Sequence, residues 1–332
     1  MSDFMDRIKA LAANDKKTIV LAEGEELRTV QAADRILKEG FADIILLGNK
    51  AKIAELANGL DISGAKVIDP ADSELTADFA AKLYELRKAK GMTEEQAAET
   101  IFNTLYFGCM LVKTGMADGM VAGAVNSTAN VMRSALQIIK TAPDTKVVSA
   151  FFVMIVPDCE YGENGTFIFS DAGLNEYPSE ENLAQIAVSS AKSFKMLVGA
   201  EPKVAMLSYS TYGSAKSEYV EKVRNATKLA KELAPDLKID GELQLDAAIV
   251  PAINASKAPG SAIEGNANVL IFPNLDAGNI GYKLTQRLAK AEAYGPLTQG
   301  IAKPVNDLSR GCSAEDIVGV AAFTCVQAQN QK

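Results

Sequence analysis

Short apolar runs rich in β-branched residues alternate with longer helical patterns along almost the whole of this chain. A run over residues 18–22 predicts a first strand, and the pattern over 26–38 predicts the helix that follows it. Strands at 44–47 and 67–69 continue the alternation, with a helix at 51–57 between them. Such an order of elements predicts an α/β fold whose sheets are mainly parallel.

Capping residues mark several of the predicted helix starts. Thr93 and Gln96 form a capping box for a helix expected to run to about residue 112. Ser179 is a good N-cap for a helix to about residue 196, and Ser313 stands before a last helix to about residue 327. A helix is also predicted over 127–140. The remaining predicted strands lie at 119–122, 147–156, 166–169, 204–207, 248–250 and 269–272.

Length and composition narrow the class of protein. The 332 residues suffice for two domains, and the connection 140–146 interrupts the pattern at a natural boundary. A net charge of −8 disfavours a general nucleic-acid-binding surface. The longest apolar run, 150–157, is far shorter than the ~20 residues of a membrane helix, and the N-terminal segment predicts an amphipathic helix instead of a signal peptide. These features predict a cytoplasmic protein that does not bind nucleic acid or membranes.

The chain contains no histidine. Histidine is the commonest general base and the commonest ligand of catalytic zinc, so a Ser-His-Asp hydrolase and most zinc enzymes are excluded. The four cysteines show no CxxC spacing and are predicted to be free thiols. Neither G-x-G-x-x-G nor G-x-x-x-x-G-K-[ST] occurs, which disfavours a Rossmann dinucleotide site and a P-loop.

The segment 304–318, PVNDLSRGCSAEDIV, is the strongest candidate for chemistry. Ser309 can donate a hydrogen bond, and Arg310 can hold a phosphate with two parallel donors. With Ser313 as N-cap, Asp316 occupies the third helical position. A structural alternative is open there, because an acidic residue at a helix start interacts well with the helix dipole.

Two further polar turns connect a predicted strand to a helix. In the first, the backbone N–H groups before the helix at 127–140 can cradle an anion, with Ser127, Thr128 and Arg133 beside them. The alternative is an ordinary N-cap with a surface arginine. The second turn, SYSTYGSAKS over 208–217, offers Ser214, Lys216 or Ser217 to a phosphate, or merely caps a helix. By position alone, Arg28, Arg87 and Arg287 are solvated charges on helices.

Several segments resemble the signature segments of phosphate acetyltransferases. They are DGELQLDAAIVP, SKAPGSAIEGNANVLIFPNLDAGNIGYK, RLAKAEAYGPLTQGIAKPVNDLSRGCSAEDIV, SYSTYGSAKS and PDCEYGENGTF, and the resemblance covers essentially the full length. It implies the isocitrate/isopropylmalate-dehydrogenase-like architecture of two α/β domains with the active site in the cleft between them. Residues 1–145 and 300–332 would form the first, discontinuous domain, and 146–299 the second. A homodimer is implied as well.

The resemblance also implies roles for individual residues. Asp316 matches the family's catalytic base, and Ser309 with Arg310 matches its substrate-positioning pair. Four arginines match arginines implicated in binding coenzyme A or acetyl phosphate: Arg28, Arg87, Arg133 and Arg287. The further candidate substrate-binding residues are Asn126, Ser127, Thr128 and Cys312.

This chain departs from the family in the second motif. Family members usually read HSTADTVRP, where this chain has NSTANVMRS from Asn126 to Ser134. The usual histidine, acid and proline are thus Asn126, Asn130 and Ser134. Asn126 keeps a hydrogen-bond donor and acceptor but offers no proton chemistry. The departure bears on the acyl-chain preference and on the pose of acetyl phosphate.

The implied reaction is reversible acetyl transfer between acetyl phosphate and coenzyme A, with inorganic phosphate as co-substrate and no tightly bound cofactor or divalent metal. Potassium or ammonium is expected to stimulate it. A buried Asp316 with a raised pKa would remove the thiol proton, and the thiolate would attack the acetyl carbon directly.

Four alternatives differ from this reading. A phosphate butyryl- or propionyltransferase would act on longer acyl chains, and a ping-pong enzyme would form an acetyl-Cys312 intermediate. Cys312 is expected to have a low pKa and to react readily with alkylating reagents, because Arg310 and a helix start lie near it.

A non-catalytic domain of this fold would sense acetyl-coenzyme A. A dehydrogenase of this fold would need metal-binding aspartates and a nucleotide loop that the sequence lacks.

Overall fold

The computed structural model describes residues 3–143 and 145–331. Their contacts divide the chain into two compact units. The first unit holds the residues up to Pro143 and those from Ile301 onward, and the second holds the residues between them, up to Gly300.

The strands in chain order are β1 (Lys17–Leu21), β2 (Ala42–Leu47), β3 (Lys66–Ile68), β4 (Gly119–Ala122), β5 (Ser149–Ile155), β6 (Thr166–Ser170), β7 (Lys203–Leu207), β8 (Lys238–Leu243), β9 (Val269–Ile271), β10 (Glu292–Gln299) and β11 (Val305–Asp307).

The α-helices in chain order are α1 (Asp3–Asn14), α2 (Leu27–Glu39), α3 (Lys50–Leu56), α4 (Thr76–Arg87), α5 (Glu94–Thr100), α6 (Thr104–Thr114), α7 (Thr128–Ile138), α8 (Glu180–Val198), α9 (Glu218–Leu233), α10 (Leu245–Ile249), α11 (Pro251–Lys257), α12 (Leu275–Leu288) and α13 (Ala314–Gln329).

The first unit is built on a five-stranded parallel sheet of order β11-β4-β1-β2-β3. Helices α1, α2 and α13 contact one another, and α4, α6 and α7 form a second group. Both α13 and α6 contact β1 and β4, as expected when helices cover the faces of a parallel sheet. The near-continuous burial of β1 and β4 follows from this double cover.

The C-terminal segment completes this sheet. Strand β11 pairs with β4 in parallel, with Asp307 opposite Ala122. Inside the unit the amide of Asn306 donates to Thr324 Oγ1 at 2.9 Å and to Gln327 Oε1 at 2.7 Å, which ties β11 to α13. The last part of the chain is therefore fixed beside the loop that follows β4.

The second unit contains a mixed six-stranded sheet of order β10-β5-β6-β9-β7-β8. Its β6-β9-β7-β8 part is parallel, and β5 and β10 pair antiparallel at one edge. The core of this unit includes the aromatic side chains of Phe152, Phe167 and Phe169. Phe152 stacks on Tyr282 of α12, with ring centroids 3.9 Å apart. The α/β class with mainly parallel sheets is confirmed.

Two predicted elements are wrong. The helix expected from residue 93 to residue 112 is two helices, α5 and α6, because the Asn103 side chain accepts from the backbone N–H of Leu105 and starts α6 anew. The strand expected at 248–250 ends the helix α10. The strand lies earlier, at β8. Its apolar pattern is interrupted by two charged residues that are nevertheless buried, Asp240 at 3% and Glu242 at 2% exposed.

Within residues 3–143 and 145–331, no helix combines the length and the apolar character that crossing a membrane requires.

Candidate active site

The candidate site of the first unit lies where three neighbouring parallel strands end. β1, β4 and β11 are adjacent in the sheet, so the loops that leave their carboxyl ends meet at one edge. The loop after β1 leads to Arg28, the loop after β4 leads to Ser127, and the loop after β11 carries Ser309 and Arg310. Segments far apart in the sequence are brought together there.

The loop after β11 is a tight turn entering α13. The Cys312 N–H donates to the Ser309 carbonyl oxygen at 2.9 Å, and the Gly311 N–H approaches the Ser309 hydroxyl oxygen at 3.3 Å. The side chains of Ser309 and Arg310 are exposed. Arg310 is exposed and its guanidinium makes no ion pair among the described residues, so a phosphate can approach its donors.

Asp316 occupies the third position of α13 in a complete capping box. Its Oδ2 accepts from the N–H and the hydroxyl of Ser313, each at 2.8 Å, while the Asp316 N–H donates to Ser313 Oγ at 3.2 Å. Asp316 is exposed, so the burial expected of it is wrong. The capping box accounts for this, because it holds the carboxylate at the solvent-facing start of the helix.

Arg28 ties the three loops together. Its Nη1 donates to the carbonyl oxygens of Arg310 at 2.9 Å and Cys312 at 2.8 Å, and its Nη2 donates to that of Ala124 at 3.1 Å. Its Nε donates to Glu26 Oε1 at 2.8 Å. Four of the five guanidinium N–H bonds are thus engaged within the protein. The substrate contact predicted for Arg28 stays a prediction. In the structure its guanidinium holds the three loops together by hydrogen bonds.

The expectation that Cys312 has a low pKa is wrong. The residue is only 7% exposed, and burial raises the pKa of its thiol to about 11. The charge of Arg28, whose Nη1 lies 3.9 Å from Sγ, opposes this shift without cancelling it. A buried, protonated thiol is a weak nucleophile, so this geometry does not favour an acetyl-cysteine intermediate.

The anion cradle predicted after β4 is already filled by the protein. The N–H groups of residues 123–126 all donate to the carboxylate of Glu23, at 2.7–3.1 Å. The amide of Asn126 adds a fifth bond to the same carboxylate at 2.9 Å. These N–H groups are therefore not open to a substrate phosphate in this structure. The N–H groups therefore converge on an anion as predicted, but that anion is the carboxylate of Glu23 and not a substrate phosphate.

Ser127 and Thr128 are likewise engaged within the protein. Ser127 is the N-cap of α7 and accepts from the Asn130 N–H, which is the structural alternative raised for this turn. The Thr128 hydroxyl makes a short hydrogen bond to Oδ2 of Asp307. Asp307 is 2% exposed, and burial raises its pKa to about 6.

Gly123 allows this close approach of two loops. Its φ of +118° suits glycine, and a Cβ there would overlap Oδ1 of Asp307 and the backbone nitrogen of Leu308. Glu23 was missed from the sequence, whereas Asp307 lies in the candidate segment 304–318 but was given no role there. The available signal was its position at the end of a strand, two residues before Ser309.

Arg87 and Arg133 are both close enough to Tyr106 for their charges to act on its phenol. The positive charges of both act on Tyr106, although burial dominates and raises the pKa of the phenol. Arg133 donates to Asn130 Oδ1 at 3.0 Å, and Nε of Arg87 is buried with no hydrogen-bond partner among the described residues. Such a pair of cations with spare donors suits an anionic group.

The remaining predicted residues belong to the second unit. Arg287 is exposed in the last turn of α12. In the 208–217 turn, Ser217 caps α9 and Ser214 Oγ accepts from the Thr211 N–H at 3.0 Å, so these hydroxyls serve the turn itself. Lys216 is exposed.

A cavity of about 220 Å³ lies at the carboxyl ends of β1 and β2, and Glu23, Thr104 and Asn126 line part of it. Across the described residues, no cluster of three or more Cys, Asp or Glu side chains is arranged to hold a metal ion. The polar groups that the site offers to a ligand are therefore hydroxyls, a carboxylate and arginines.

Comparison with known proteins places this chain among proteins of one family. A phosphate acetyltransferase from Acetivibrio thermocellus is 65% identical over 329 residues, which is 99% of each chain. One from Thermoanaerobacterium thermosaccharolyticum is 61% identical over 96% of this chain and 97% of its own. A solved phosphotransacetylase from Streptococcus pyogenes superposes over 100% of both chains with a TM-score of 0.94 and 43% identity. The family model described as phosphate acetyl/butaryl transferase matches residues 3–325. The chain belongs to the phosphate acetyl/butaryl transferase family.

Proposed function

We propose that this chain is a phosphate acetyltransferase that moves an acetyl group reversibly between acetyl phosphate and coenzyme A. The observation that carries the proposal is the loop of Ser309 and Arg310, held at the carboxyl ends of β11, β4 and β1 beside Asp316. This loop and the first turn of α13 together supply an anion-binding guanidinium, a hydroxyl and a carboxylate. Relatives that are 65% and 61% identical over nearly their full length carry this enzyme's name.

Asp316 is the base in this proposal. The thiol of coenzyme A has a pKa of ~8.5 and a solvated aspartate one of ~3.9, a poor match for proton transfer. Asp316 is exposed, so the thiol of coenzyme A can approach its carboxylate, and the bound coenzyme A would exclude water from the pair. The bonds from Ser313 hold the carboxylate in place before substrate arrives.

The transfer step needs a nucleophile, an oxyanion donor and a leaving-group partner. The thiol proton passes to Asp316, the new S–C bond forms at the acetyl carbon, and the acyl C–O bond breaks to release phosphate. Arg310 holds the departing phosphate dianion, and Ser309 donates to the oxygen that gains charge. In the reverse direction phosphate attacks the thioester and Asp316 returns the proton.

The arginine pair at Tyr106 is the second part of the proposal. Arg87 and Arg133 would bind phosphate groups of coenzyme A, since Nε of Arg87 is desolvated and lacks a partner among the described residues. Arg287, Asn126, Ser127, Thr128 and Cys312 stay as predicted substrate-binding positions. For Asn126 and Thr128, the contacts to Glu23 and Asp307 support an indirect role.

The acyl group is tested by comparing acetyl, propionyl and butyryl phosphate as donors to coenzyme A. The proposal expects the highest kcat/KM with acetyl phosphate. A clear preference for butyryl phosphate would replace the acetyltransferase by a butyryltransferase within the same family. Binding of acetyl-coenzyme A without turnover of any acyl phosphate would favour the sensor alternative instead.

We further propose that the enzyme is a cytoplasmic homodimer stimulated by potassium or ammonium, as the sequence resemblance implies. Sedimentation equilibrium tests the dimer, fractionation of the source cells tests the location, and rates in sodium against potassium or ammonium salts test the stimulation. A monomer would overturn the homodimer, and a membrane-associated protein would overturn the cytoplasmic location. Equal rates in all three salts would overturn the stimulation by potassium or ammonium.

A further inference from the structure

Glu23 lies two residues after the end of β1 and is only 8% exposed. Its Oε2 accepts from the N–H groups of Gly123 at 2.9 Å and Ala124 at 2.7 Å. Its Oε1 accepts from the N–H of Val125 at 3.1 Å, and from the N–H and the side-chain amide of Asn126 at 2.8 and 2.9 Å. One carboxylate therefore accepts five hydrogen bonds from a single turn.

Four successive backbone N–H groups that converge in this way form an anion site. Here the anion is the carboxylate of Glu23, which is covalently part of the chain. Hydrogen bonds to a carboxylate are stronger than those between neutral groups, and a buried carboxylate is costly without them. The turn and Glu23 thus fix each other's position.

The same turn supports the loop that carries the predicted catalytic residues. The carbonyl oxygen of Ala124, the second residue bound by Glu23, accepts from Nη2 of Arg28. Nη1 of Arg28 donates to the carbonyl oxygens of Arg310 and Cys312. A continuous series of hydrogen bonds runs from Glu23 through Ala124 and Arg28 to the backbone of the Ser309–Asp316 segment.

We propose that Glu23 is a positioning residue for the acetyl transfer: it occupies the anion-binding turn 123–126 and, through Ala124 and Arg28, sets the position of the Arg310 backbone. Glu23 does not touch the reacting atoms in this proposal. The expected effect of Glu23 on the rate rests on the proposed function. The expected effect of Glu23 on the loop rests on the geometry alone.

The test is Glu23→Ala with chemical rescue by formate, the smallest carboxylate. The variant leaves the four N–H groups around an empty space. A displacement of catalytic groups by about 1 Å costs up to about 10²-fold in rate, so we expect kcat to fall by roughly 10- to 100-fold with a smaller change in KM. Added formate should refill the turn and restore kcat along a saturable curve. The wild type in the same formate series corrects for inhibition.

Two matched variants sharpen this test. Glu23→Gln keeps the shape but points an NH2 group at two backbone donors, so kcat should fall and formate should not restore it, because the space is filled. Glu25→Ala removes a neighbouring exposed carboxylate that accepts from the Asn49 N–H and pairs with Lys52. It should leave kcat and its response to formate as in the wild type.

Amide hydrogen exchange decides the positioning claim independently of activity. Exchange in the peptides covering 123–126 and 308–313 should be faster in Glu23→Ala than in the wild type, and formate should slow it again. Wild-type protein that turns over no acyl phosphate would refute the proposed function, and the exchange result would still decide the positioning claim. A normal kcat in Glu23→Ala would overturn the inference. So would a folded Glu23→Ala protein whose lost activity and fast exchange are not reversed by formate.

Discussion

The Arg28 guanidinium donates through Nη1 to the Cys312 carbonyl oxygen, 2.8 Å away, and so connects the helix after β1 to the turn before α13. Because a lysine ammonium cannot reproduce this planar set of donors, Arg28→Lys should lower kcat by about 10- to 100-fold. KM should change little. If Arg28 instead holds a substrate phosphate, KM will rise while kcat is kept, and initial-rate kinetics separate the two results.

Cys312 is expected to be dispensable for chemistry. At pH 7 a thiol with a pKa of about 11 is ionised in about one molecule in ten thousand. Cys312→Ala should therefore keep most of its activity, and alkylation of the wild-type thiol should be slow. Intersecting lines in a two-substrate analysis would agree with direct transfer. Parallel lines, together with an inactive Cys312→Ala protein that still binds coenzyme A, would establish the ping-pong route.

The two roles of Asp316 can be separated by a pair of variants. Asp316→Asn removes the base and should lower kcat by about 10²- to 10⁴-fold. Ser313→Ala removes the cap of α13 but keeps the carboxylate, so it should cost about 1 kcal/mol of stability with a much smaller loss of kcat. Equal losses of kcat in both folded variants would mean that Asp316 acts only as a helix-start residue.

Asp307 should make stability depend on pH. Burial raises its pKa from 3.8 to about 6, and the charge of Glu23 acts in the same direction. The folded protein thus binds a proton that the unfolded chain has released, so the stabilisation is complete below about pH 4 and is lost as the pH rises through 6. Relative to Asp307→Asn, the wild type should lose up to about 3 kcal/mol of unfolding free energy between pH 4 and 7. Urea denaturation of both proteins measures this difference, and an unchanged difference would contradict it.

Much of the fold is predictable because the strands of the first unit are short, apolar and covered on both faces. β1, β2 and β4 stand within two residues of their predicted bounds. Strand β8 was missed because its carboxylates are compensated by partners outside the strand: Tyr212 and Lys231 bind Asp240, and Ser210 binds Glu242. A local pattern cannot show such compensation.

The candidate site also shows that a local sequence pattern cannot reveal tertiary contacts. Local sequence identified the turn after β4 as an anion cradle, but the anion is Glu23, a hundred or more residues away in the chain. It also placed a cation and a helix start near Cys312, whereas the burial that decides its pKa comes from packing. Spacing predicts which groups stand near one another along the chain, while tertiary contacts decide which of them remain free for a ligand.

The most direct test of the whole account is the initial rate of acetyl-coenzyme A formation from acetyl phosphate and coenzyme A by the purified protein in excess chelator. We expect saturable thioester formation at a rate unaffected by the chelator, because the described residues supply arginines, a hydroxyl and a carboxylate for each step. No thioester formation, or a rate lost on chelation and restored by one divalent ion, would contradict it.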